Sequence, residues 1–176
     1  MNLKISKILR FLLSIKSVLF INLSIKIKKI LNKDLKIIFF YFLVKSYQDN
    51  ILELINEIKK EKNIEVILGY NLSSSNEIKD YEKAFFINLG YLRFIKKIDI
   101  FLSSYVVYDF PSTLNKIYIN HDIYDTPMVD LEKEKNLIKA LNKCDYIFLS
   151  SEIVITSLQK KINYYSENQI NDKKPQ

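Results

Sequence analysis

His121 is the single imidazole in the chain, and it stands in NHDIYDTP, directly after the apolar stretch NKIYIN. An imidazole at the carboxyl end of a strand, with Asp122 and Asp125 beside it, has the composition of a general base. The same residue in a surface loop does no chemistry, and one histidine with nearby aspartates does not make a metal site. Ser103–Ser104 and Ser150–Ser151 are paired hydroxyls, each directly after an apolar run. At strand ends such pairs can hold a hydroxylated or phosphorylated ligand with the help of a following helix N-terminus. They can equally do no more than cap that helix. Tyr105, Tyr108 and Phe110 share one loop and can stack on a sugar or a base, while Asp109 and Asp125 can orient a polyol hydroxyl or be simply solvated. Cys144 reads as a small structural residue. Asp99 and Asp145 fall at strand starts, away from the strand ends where ligands bind.

Composition narrows the chemistry further. The chain has 176 residues, 48% of them hydrophobic and 27% charged, enough for one domain with a real core. One cysteine excludes a disulfide framework and a thiolate zinc site. Glycine occurs only at Gly69 and Gly90, so P-loop and GxGxxG phosphate binders are excluded. Neither a cofactor nor a metal is expected. The net charge of +7 permits a nucleic-acid or an anionic-membrane partner. The aromatic residues fall mostly at strand and inner-helix positions, so core packing accounts for them and nucleic-acid binding is not expected.

The elements that must position these residues alternate in period. Leu35–Val44 is a nearly continuous apolar run, as in strands buried on both faces. Ser46–Asn50 breaks it, and Ile51, Leu54, Ile55 and Ile58 recur at helical spacing. Ile64–Leu68 is a second strand, closed by Gly69. After the polar stretch 72–80, the spacing of Phe85, Leu89 and Leu92 predicts a helix over Tyr81–Lys97. Ile98–Leu102, Asn115–Asn120 and Cys144–Leu149 are three more strands. Leu131–Asn142 and Ser150–Ile162 are helices, and 164–176 reads as a polar, disordered tail. The expectation is an α/β fold: one Rossmann-like parallel sheet over residues 34–163, with ligands bound beyond the strands' carboxyl ends.

Residues 1–33 form a separate pattern. At 100° per residue Ile5, Leu9, Leu12, Leu19, Leu23, Ile27 and Ile30 share a stripe, with Lys4, Lys7, Lys26, Lys29 and Lys33 opposite and Lys16 interrupting it. A basic amphipathic helix in the membrane interface fits this pattern, and so does a helix packed on the domain with solvated lysines. A signal peptide fits poorly, since Lys16 would fall in its apolar region. The uncharged run Ser17–Ile25 is too short to cross a bilayer.

The order of these pieces resembles the N-terminal half of the CDP-glycerol glycerophosphotransferase family, which builds teichoic acids and related capsular polymers. The matching pieces are a first strand followed by SYQDNILELINEI, the strand IDIFLSS, KIYINH ending in histidine, and CDYIFLSSE opening a helix. The resemblance covers roughly residues 35–162 and implies half of a GT-B fold. It implies that His121 is the base for the acceptor hydroxyl, although Asp122 stands where the family reads Gly. Ser103, Ser104, Tyr105, Asp125, Ser150 and Ser151 are then candidates for the acceptor site. The family's second half supplies the nucleotide pocket. The resemblance therefore implies CDP-glycerol as donor only if a second domain is supplied, with this half inactive alone as a truncated or split enzyme. It also implies a lipid-linked polyol or glycan acceptor, and a peripheral location on the cytoplasmic face of the membrane, against an anionic surface. The alternative is a non-enzymatic, membrane-associated α/β module that binds a phosphorylated or polyol ligand.

Overall fold

β1 (Lys36–Phe42) is the strand on which the molecule is built, because both of its faces are buried. Ile37, Phe39 and Tyr41 point to one side, and Ile38, Phe40 and Phe42 to the other. This two-residue alternation, apolar on both faces, is what a central parallel strand requires. The structure, a computed structural model, describes residues 3–49, 51–71, 84–119, 131–149 and 151–171.

Around β1 lie β2 (Ile64–Tyr70), β3 (Ala84–Phe86), β4 (Ile98–Ser103), β5 (Thr113–Ile119) and β6 (Tyr146–Phe148). All pair in parallel, in the order β3-β2-β1-β4-β5-β6. This is the Rossmann strand order, and it reverses direction between β1 and β4. The expected α/β fold with a single parallel sheet is thus present. Gly69 in β2 is a packing requirement: a Cβ there would stand 2.5 Å from the ring of Phe39. That ring is fully buried and stacked on Phe101, so it has nowhere to retreat.

Two layers cover the sheet. α2 (Lys45–Asp49) and α3 (Leu52–Ile58) follow β1, and Ile55 packs with Ile38, Phe40 and Phe42. The other face is covered by α1 (Leu3–Leu31) and a 3₁₀ segment, Leu89–Phe94. Val18, Ile21 and Ile25 of α1 pack with Ile37, Phe39, Leu92 and Phe101. α4 (Leu131–Leu141) and α5 (Glu152–Asn171) pack against each other.

Three local expectations are corrected. The helix expected over Tyr81–Lys97 is instead β3 followed by the 3₁₀ turn, within the described part of that range. Its backbone finds partners outside itself. The Ile87 carbonyl accepts from the Tyr41 hydroxyl at 2.9 Å, and the Asn88 N–H donates to Ser14 Oγ at 3.1 Å. With those groups satisfied by α1 and β1, a helix is not needed to satisfy them. The break at 46–50 is itself the short helix α2. α5 runs to Asn171, so 164–171 is helical rather than a coil tail; the ring edge of Tyr164 meets Tyr165 there. Of the readings of the N-terminal segment, packing on the domain is the one present, since α1 supplies part of the core.

The domain-packing reading, with its lysines solvated, puts the apolar stripe against the sheet, and α1 packs by the other side. Ser14, Val18, Ile21 and Ile25 turn inward, while Leu9, Leu12, Leu19, Leu23, Ile27 and Ile30 turn outward. Lys28 pairs with Glu65 at the start of β2, and Lys29 reaches Asp99 at the start of β4, at 2.8 Å. Lys29, placed by periodicity on the lysine face, and the neighbouring Lys28 therefore anchor α1 along the amino edge of the sheet.

Candidate functional site

The strand order reverses between β1 and β4, and folds of this kind bind ligands beyond the carboxyl ends of the two strands flanking such a reversal. β1 ends at Phe42 and turns into α2, while β4 ends at Ser103 and bends through Ser104 and Tyr105. Register fixes the two strand ends relative to each other: Tyr41 lies opposite Ser103 across the β1–β4 pair.

The two serines behave differently. Ser103 Oγ donates to the Tyr105 carbonyl at 2.7 Å and accepts from the Tyr105 N–H at 3.1 Å. This closed ST-type turn holds the loop after β4 and engages the hydroxyl as both donor and acceptor. Ser104 is 1% exposed, and its Oγ has no hydrogen-bond partner among the described residues. A buried hydroxyl left unsatisfied costs about 1–3 kcal/mol, so its presence needs a reason. Tyr105, half-buried, follows in the same loop.

The surrounding polar groups are already committed. Tyr41 donates to Ile87, and burial pushes its phenol far above the ordinary value, more than its hydrogen bond with Asn71 brings it down. The buried Tyr70 hydroxyl donates to Gln48 Oε1 at 2.6 Å, tying the end of β2 to α2. Both contacts tie down this edge of the sheet, and among the described residues Ser104 Oγ is the buried side-chain atom left without a partner.

The remaining candidates separate as follows. Ser151 Oγ accepts from the Val154 N–H at 3.4 Å, so it caps α5, as the simpler reading of that pair had it. His121, Asp122, Asp125 and Ser150 lie outside the described residues. β5, which leads to His121, ends at Ile119 on the same edge as Ser103, with Tyr118 opposite Ser103. Asp109 stands 3.9 Å from Arg93 in an exposed pair. Phe110 packs edge-on against Phe101, and Tyr108 is exposed, so the aromatic loop splits between core and surface. Asp99 and Asp145 lie at the amino edge, as their positions at strand starts require. Asp145 accepts from the Lys116 N–H at 2.7 Å. Among the described residues no group of three His, Cys, Asp or Glu side chains is placed to hold a metal.

Sequence reasoning singled out Ser104 as one of a pair but could not tell it from Ser103. That difference arises from the turn through Tyr105, which no residue type announces. The chain matches no known protein-family profile, no curated protein and no solved structure.

Proposed function

We propose that this chain is the acceptor-side domain of a transferase like the CDP-glycerol glycerophosphotransferases. Its ligand is a hydroxyl-rich, phosphorylated polyol held beyond the carboxyl ends of β1 and β4. The observation that carries the ligand reading is the orphaned, buried Ser104 hydroxyl at the point where the sheet reverses. A polyol hydroxyl or phosphate oxygen supplies the partner that hydroxyl lacks. In the transferase reading His121 takes the proton from the acceptor hydroxyl, and the donor nucleotide is bound by a second domain. A non-enzymatic binding module is the second reading. It is favoured by the scarcity of glycine, which leaves no backbone cradle for a nucleotide pyrophosphate in this chain.

Calorimetric titration of the full chain with oligomeric glycerol phosphate tests this site. Removing one hydrogen bond of about 1 kcal/mol weakens binding about fivefold, so Ser104→Ala is expected to lose that much affinity. The same substitution deletes an unsatisfied buried group, so thermal stability should hold or rise. Equal affinity in the two proteins, or no binding by either, overturns the ligand assignment. With CDP-glycerol and a partner domain supplied, His121→Ala abolishes transfer in the first reading. Transfer that survives that substitution removes His121 as the base, and no transfer by the unaltered chain leaves the binding-module reading standing.

A further inference from the structure

The outward side of α1 is an apolar surface with no partner among the described residues. Leu9, Leu12, Leu19, Leu23, Ile27 and Ile30 are each between 48% and 67% exposed. They occupy one side of a 29-residue helix whose other side is fixed to the sheet. An apolar patch of this length on a soluble face marks an interaction site. It continues into an open groove of about 620 Å³ between α1 and the 3₁₀ segment, where Phe11, Leu19 and Phe94 meet three cations, Lys26, Lys96 and Lys97. None of the three lysines has an ion-pair partner among the described residues. Lys97 holds a left-handed backbone (φ 63°), a conformation non-glycine residues seldom take and which is found preferentially at functional sites.

Charge decides what covers this surface. Residues 1–33 contain no aspartate or glutamate, and Lys16 stands in the middle of the outward stripe. A second copy of the chain would bring the same cations against themselves. Over Ile8–Leu31 α1 is long and apolar enough to cross a bilayer, contrary to the expectation from the uncharged run Ser17–Ile25, but a crossing helix would have to pull Val18, Ile21 and Ile25 out of the core. It would also break the bond that Asn22 Nδ2 donates to the Phe94 carbonyl at 2.9 Å and the one that Asn22 Oδ1 accepts from the Lys96 N–H at 2.8 Å. An anionic bilayer satisfies both features at once: the leucines enter the acyl boundary, and the lysines remain at the headgroups.

We infer that α1 docks the intact domain onto an anionic membrane by its outward leucine face, with Lys26, Lys96 and Lys97 as the headgroup contacts, while its inward face stays in the core. The sheet then lies parallel to the bilayer, about one helix diameter (~10 Å) above it. Its carboxyl edge opens sideways along the membrane surface. The inference is independent of what that edge binds.

Flotation of the full chain with vesicles of phosphatidylcholine containing phosphatidylglycerol tests it. Binding is expected to the mixed vesicles and not to phosphatidylcholine alone. Leu19→Glu combined with Leu23→Glu should reduce bound protein more than tenfold with an unchanged melting profile, since both sites are exposed. Lys26→Gln and Lys96→Gln should each lower partitioning about fivefold. The chain has no tryptophan, so Leu23→Trp provides a reporter that needs no charge in the stripe. Its emission should shift to the blue on mixed vesicles. An unshifted emission, flotation indifferent to lipid charge, resistance to alkaline carbonate extraction, or a dimer abolished by the double glutamate variant would each overturn the inference.

Discussion

The Cys144 thiol lies half-buried at the end of α4, where its Sγ is within 3.9 Å of the Ala140 carbonyl. Burial pushes its pKa up to about 11, the adjacent Asp145 carboxylate adds to the rise, and Lys116 draws it back. At pH 8 about one thiol in a thousand is then ionised, against about a quarter for a free cysteine. Since the thiolate is the nucleophile, iodoacetamide should modify Cys144 roughly a hundredfold more slowly than a model thiol. In concentrated urea the rate should return to the free value. Mass spectrometry of timed samples reads both, and rapid labelling of the folded protein at pH 8 would contradict the environment described for it. The same contrast between residue type and surroundings separates Ser103 from Ser104. Both are serines at a strand end, and only the local turn decides which hydroxyl is spent.

At the scale of elements, the strands were legible because β1, β2, β4 and β5 are short apolar runs that a helix pattern does not fit. β3 was not: Phe85, Leu89 and Leu92 recur at helical spacing, and only tertiary partners from Tyr41 and Ser14 turn that segment into a strand edge and a 3₁₀ turn. α1 was legible as a helix and misleading as to its face. It is apolar on both sides, and periodicity alone does not say which side meets the sheet. The deciding contacts, Lys28 with Glu65 and Lys29 with Asp99, join residues far apart in sequence. The two sides should therefore respond unequally to truncation. Ile21→Ala opens a cavity beneath α1 and should cost about 2–5 kcal/mol. Leu23→Ala removes an exposed side chain and should change stability by less than about 0.5 kcal/mol. Urea unfolding measures both, and a larger cost at Leu23 would mean the helix packs by its other face. Deleting residues 1–33 is expected to unbalance the whole sheet, which is why membrane tests rely on surface substitutions.

For the whole molecule, the amino edge of the sheet is where three distant segments are tied together, and that tie is titratable. Asp99, nearly buried, accepts from the Ile37 N–H at 2.8 Å and from Lys29 Nζ at 2.8 Å, with Lys36 4.0 Å away. It thereby joins the end of α1, the start of β1 and the start of β4. Burial alone would raise its pKa, but the Lys29 hydrogen bond, the Ile37 N–H and the charges of Lys29 and Lys36 outweigh it, so the carboxyl lies below its ordinary 3.8. A carboxylate depressed by folding binds more protons when unfolded. Its contribution to stability is therefore complete above pH 3.8 and is lost as the pH falls from there through the folded value. Asp99→Asn can keep an acceptor for Ile37 but leaves Lys29 without its counter-charge. The variant should be less stable at neutral pH by about 1–3 kcal/mol. The gap should shrink as both proteins are acidified below pH 4, because protonation removes from the native protein what the substitution has already removed. Taking the difference between the two curves cancels the other acidic groups, including Glu65. Urea midpoints measured from pH 7 down to pH 2.5 read this directly. Parallel curves over the whole range would show that Asp99 serves only as a neutral hydrogen-bond acceptor, and that its pairing with Lys29 does not hold α1 to the sheet.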